Sequence, residues 1–133
     1  MFNKCDYVLY SLGGGIVDIL RCKGFVNNSR PIEVNGENKN YYNLRSQCYD
    51  KLSAVVNNNE MWLKSDEKTD RDGIVQELEQ IKRIEHDKDA KFKVISRQQI
   101  FNSIQRSPDE TSCLMMRMFF ELSKPRKHNN IMI

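Results

Sequence analysis

The chain has 133 residues, 39% of them hydrophobic, and its 21 Lys and Arg against 18 Asp and Glu give a net charge of +3. That length makes one domain, or part of one, able to bury a core of its own. No apolar run approaches the roughly 18 residues of a membrane span, and a charge this mild does not by itself establish nucleic-acid binding.

In chain order, Tyr7 to Tyr10 reads as a short buried strand. Gly13-Gly14-Gly15 breaks it and leads into a short helix through Ile16, Val17, Ile19 and Leu20, with Gly24 placed as its C-cap. A second strand is expected around Ile32-Glu33-Val34, after the turn signal Asn27-Asn28-Ser29 and Pro31. Tyr42 to Val56 is the clearest helix, with Leu44, Cys48, Leu52 and Val55 on one face and Tyr49 and Val56 beside them. Asn57-Asn58-Asn59 ends it. Met61-Trp62-Leu63 reads as an apolar anchor, and Lys64 to Arg71 as a charged connection. A further helix spans Asp72 to Ile84, carried by Ile74, Val75, Leu78 and Ile81, while Glu77, Glu79, Lys82 and Arg83 read as salt pairs on its surface. Lys91 to Ile95 alternates like a strand with Phe92 and Val94 on one face, and Ser96 with Gln99 forms a capping box for the next helix.

The last helix is announced by Arg106-Ser107-Pro108-Asp109-Glu110. Ser107 suits the N-cap, Pro108 the first helical position, and Asp109 and Glu110 the electropositive helix end, with Glu110 completing a box to Ser107. From Cys113 to Leu122 the helix is apolar on nearly every side and is expected to be deeply buried. Strands separated by helices make this an α/β order, although a sheet of about three strands is thin.

Cys5, Cys22, Cys48 and Cys113 are scattered without a C-x-x-C pair, and only His86 and His128 could join them, so reduced thiols in a cytosolic protein are expected. Met1 to Tyr10 lacks the long apolar segment of a signal peptide. Cys113 reads as a packed core thiol, since its neighbours are apolar. The glycine triplet reads as a tight turn: a dinucleotide fingerprint would need Gly where Asp18 stands, and no Walker pattern is present.

Taken together, the ordered segments resemble the C-terminal nuclease domain of phage terminase large subunits, which package viral DNA and whose nuclease half has an RNase H-like fold. The matching pieces are Leu12 to Leu20, Tyr41-Tyr42-Asn43-Leu44-Arg45, the helix from Ile74 to Arg83, Lys93-Val94-Ile95-Ser96, and Arg106-Ser107-Pro108-Asp109. The resemblance implies a partial RNase H-like fold over residues 1–122, a small mixed sheet flanked by helices; the tail at 123–133, with Lys124, Pro125, Arg126 and Lys127, is polar and basic and is expected to be flexible. It also implies metal-dependent endonuclease descent (Mg²⁺ or Mn²⁺), double-stranded DNA as partner, other phage packaging proteins such as the small terminase or portal, and a place in the host cytoplasm.

The family clamps two divalent ions with a carboxylate cluster, because two hard cations must be neutralised while staying open to a phosphate and a water. The resemblance implies that the first acid lies on a strand preceding this chain. The second has only Asp6 nearby, and the third position is Ser112, which cannot replace a carboxylate. Asp109, Asp6 and Glu110 are therefore the candidate metal ligands, and the expectation is a domain that does not cut DNA on its own. Arg45, Arg97, Arg106 and Lys124 are the candidate phosphate contacts, and Tyr41-Tyr42 could stack on bases. The rival readings are a non-catalytic module that binds DNA or docks on another protein, and a small nucleotide-binding βα protein.

Overall fold

The computed structural model describes residues 8–10, 19, 23–34, 40–64, 68–84 and 90–123. Its elements are strands β1 (Val8–Tyr10) and β2 (Lys23–Phe25) and helices α1 (Leu44–Asn57), α2 (Lys68–Glu79), α3 (Arg97–Ile104) and α4 (Asp109–Ser123). The described part is mainly helical. β1 and β2 pair in parallel, with Val8 opposite Lys23, Leu9 opposite Gly24 and Tyr10 opposite Phe25. A parallel pair needs a crossover between its strands, and Ile19, the one residue described between them, is helical. A small α/β component is therefore present, but an RNase H-like sheet is not seen among the described residues. Gly24 lies in β2, where its backbone enters the ladder, and is not a helix C-cap. Ile19 is 80% exposed and does not face the core. The glycine triplet, Asp18 and the tail beyond Ser123 lie outside the described residues.

The core lies between α1 and α4. Leu44, Cys48, Leu52 and Val55 are buried as their spacing on one helix face requires, and they meet Met115 and Met118 of α4 and Phe25 of β2. Phe25 sits edge-on to Phe119, with ring centroids 5.9 Å apart. Burial pushes the Cys48 thiol up to about 12, the behaviour of an inert core cysteine. α4 is less enclosed than its apolar sequence predicts. Thr111, Ser112, Met115 and Met118 form its buried face, whereas Cys113 is exposed and not packed. A single helical layer covers only one stripe of it. Val56 and Val75 are exposed for the same reason, and of the expected anchor only Met61 packs on the core, Trp62 being 93% exposed.

Of the expected strand at Ile32-Glu33-Val34 only Val34 forms a β-bridge, and Ile32 is held by a side-chain contact instead. Gln47 of α1 accepts from the Ile32 N–H and donates to the Ile32 carbonyl, both at 2.7 Å, so an amide side chain satisfies this backbone as a neighbouring strand would. The segment at 92–95 is paired on both sides, but only by isolated bridges. Tyr41 meets Phe92 in parallel and Arg83 meets Val94 antiparallel, with Tyr42 N–H donating to Phe92 O at 3.0 Å and Ile84 N–H to Lys93 O at 2.8 Å.

α1 begins two residues later than its periodicity suggests, because Tyr42 stays in that ladder and Asn43 takes the N-cap. Asn43 Oδ1 accepts from Ser46 N–H at 2.9 Å. The turn at 27–29 supplies the remaining acceptors, Ser29 O to Leu44 N–H and Asn27 O to Arg45 N–H. α2 starts at Lys68, ahead of the expected Asp72, and stops at Glu79, so Ile81 to Ile84 leave the helix to join the ladder. The Ser96–Gln99 capping box forms as its sequence requires. Ser96→Ala is expected to cost about 1 kcal/mol, read as a lower urea midpoint at unchanged slope.

A candidate phosphate-binding cleft

Three elements converge at the N-terminal end of α1: the turn at 27–29, the segment around Tyr42 and 92–95, and the start of α3. Between them lies an open cleft of about 360 Å³. Among the described residues its charged lining is Arg45, Lys93 and Arg97, with no acid. Their positions follow from local structure. Arg45 is in the first turn of α1, Arg97 opens α3, and Lys93 is placed by strand alternation, which sends Val94 into the core and Lys93 to the other side.

Each cation is held by the fold. Arg45 Nη1 donates to Ile95 O at 2.8 Å and the guanidinium lies over the Tyr49 ring, 4.8 Å from its centroid. Arg45 Nη2 is buried and has no hydrogen-bond partner, a deficit costly for a charged donor. Lys93 Nζ lies over the Tyr42 ring at 4.2 Å. Arg97 Nη2 donates to Asp109 Oδ1 and to Ser107 Oγ, each at 2.5 Å. The Arg97–Asp109 pair is open to solvent, with side chains 41% and 66% exposed, so it restrains Arg97 only weakly.

A second constellation surrounds Arg106. Glu77, expected on the surface of α2, is fully buried. Its Oε1 accepts from Arg106 Nη1 at 2.5 Å and its Oε2 from the Thr111 N–H at 2.8 Å. Pro108 O accepts from Ser112 N–H, which makes Pro108 the residue that opens α4. Proline offers no side-chain acceptor, so a carboxylate from another helix caps this end. Ser107 is one residue too early to do so and instead donates to Asp109 Oδ1 at 2.8 Å. Arg106 also reaches Glu110 Oε2 at 3.2 Å and Gly73 O at 2.8 Å. Burial pushes the Glu77 carboxyl up from its ordinary 4.5, and the neighbouring Glu110 adds to the rise. Glu110 is held below that value, chiefly by its hydrogen bond with Glu77 and further by Arg106.

Of the residues singled out in the sequence, Arg45 and Arg97 come together in the cleft. Arg106 belongs to the Glu77 cluster, and Lys124 and Asp6 lie outside the described residues. Asp109 and Glu110 each face an arginine, and Ser112 Oγ donates to Pro108 O at 2.6 Å. Among the described residues no group of three His, Cys, Asp or Glu side chains converges, so these donors alone do not fit a divalent cation, which needs several oxygens with uncompensated charge. No helix among the described residues is long and apolar enough to cross a membrane. Lys93 and Glu77 escaped sequence reasoning, because a lysine in an alternating segment and a glutamate on a polar helix carry no mark of what the fold brings against them. Comparison with protein-family models, curated proteins and solved structures found no match.

Proposed function

We propose that this chain is a DNA-binding module of terminase-like descent that holds phosphate without cutting it. The observation that carries the reading is the cleft whose described lining holds three cations, Arg45, Lys93 and Arg97, and no acid. A phosphate oxygen is the acceptor such a donor set suits, and Arg and Lys make most contacts of this kind. The descent rests on the order of the sequence segments. The loss of cutting rests on Asp109 and Glu110 facing arginines and on serine at position 112.

Fluorescence anisotropy with labelled duplex DNA across a salt series tests the binding. Three phosphate contacts are expected to give a log–log slope of about −2.7, and Arg97→Met to reduce its magnitude by about one unit. Binding that ignores salt would remove the proposal. Nicking of supercoiled plasmid with Mn²⁺, abolished by EDTA and by Asp109→Ala, would overturn the non-catalytic part and restore the endonuclease reading.

A further inference from the structure

Tyr42 stands at the border of two clefts. It lines the phosphate cleft and also a neighbouring one of about 470 Å³ whose charged residues include Arg30, Lys91 and Glu33. The residue is 52% exposed, although large aromatics usually bury most of their surface. Its neighbour Tyr41 behaves in the ordinary way, packing edge-on against Phe92 and donating its hydroxyl proton to Asp50. The Tyr42 backbone is pinned by its bond to Phe92 O, and Lys93 covers the ring from one side. The result is a fixed, half-exposed aromatic surface with cations in the cleft on either side of it.

We infer that Tyr42 is a stacking platform for an unpaired base, and that the ligand of this surface is a single-stranded polynucleotide running across both clefts. Phosphates flank every base along a single strand, which matches an aromatic ridge between two clefts that each carry cations. In a duplex the bases are stacked on one another and offer no free face to the ring. Stacking on aromatic side chains tolerates any base, whereas the cations follow the backbone. This inference rests on the phosphate reading of the cleft and adds the state of the nucleic acid.

The test compares the full chain's affinity for labelled oligo(dT), oligo(U) and a duplex of equal length by anisotropy. Single strands are expected to bind more tightly than the duplex. Tyr42→Ala is expected to weaken single-strand binding about ten-fold or more and duplex binding much less, through the lost seat of Lys93 alone, while Tyr42→Phe retains both. Urea melts of both variants establish that they remain folded. Duplex binding as tight as single-strand binding, or a Tyr42→Ala variant that binds oligo(dT) unchanged, overturns the inference. If duplex binding keeps its dependence on salt and Arg97 while Tyr42 is irrelevant, only the stacking fails. If none of the three probes binds, the phosphate reading fails with it.

Discussion

Replacing Glu77 with alanine is expected to cost about 3 kcal/mol of folding stability, near the low end for removing one partner of a buried ion pair. The carboxylate is fully buried, and its two oxygens accept from Arg106 and from the N-terminus of α4. Without it, Arg106 loses its buried partner and the Thr111 N–H loses its acceptor at the same time. The cost stays at the low end because the Arg106 side chain is 35% exposed and water reaches it. Glu77→Gln is expected to lose less, since its amide keeps an acceptor for one of the two donors and removes the penalty of a buried charge.

The pH dependence of the same cluster has two opposed parts. Burial raises the Glu77 carboxyl above 4.5, so its contribution is fully present below its unfolded value and is lost as pH rises through the raised folded one. Glu110 is lowered, so its contribution is present above 4.5 and is lost as pH falls. The two carboxyls titrate as a pair, so urea midpoints followed across the acid range should show either Glu77→Gln or Glu110→Gln altering the losses on both sides. A Glu77→Ala melt that superimposes on the parent's would remove this cluster from the account of stability.

Phe25→Ala is expected to cost about 3 to 5 kcal/mol, the range for deleting a buried aromatic ring. The ring is 1% exposed and sits edge-on to Phe119 of α4, so it is where β2 meets the helical core. The deletion leaves a cavity between a strand and a helix that are fixed by separate contacts, and such a site collapses poorly. Urea denaturation measures the loss, and Phe25→Leu should recover part of it. An alanine variant within 1 kcal/mol of the parent would mean that β2 is not anchored through this ring.

Much of the helical part was legible in the sequence. The buried face of α1 follows from residues three and four apart, and the α3 cap follows from Ser96 and Gln99. Both depend on neighbours within one or two turns, where spacing alone sets the geometry. The same holds for Asn57-Asn58-Asn59, which stops α1 with Asn59 in the left-handed region at φ 56°.

The misses share one cause. Which acceptor caps α4, whether Ile32 finds a strand or Gln47, and which side of α2 is buried depend on partners that are distant in sequence. Glu77 and Thr111 are separated by 34 positions and Ile32 and Gln47 by 15, and no local pattern encodes those pairings. The cleft follows the same rule. The sequence by itself determined that Arg45 and Arg97 would stand in the first turns of helices and that Lys93 would alternate with core residues. Only the tertiary structure decided that the three share one cleft with Tyr42 at its edge, because that requires a turn, a ladder and two helix ends to meet in space.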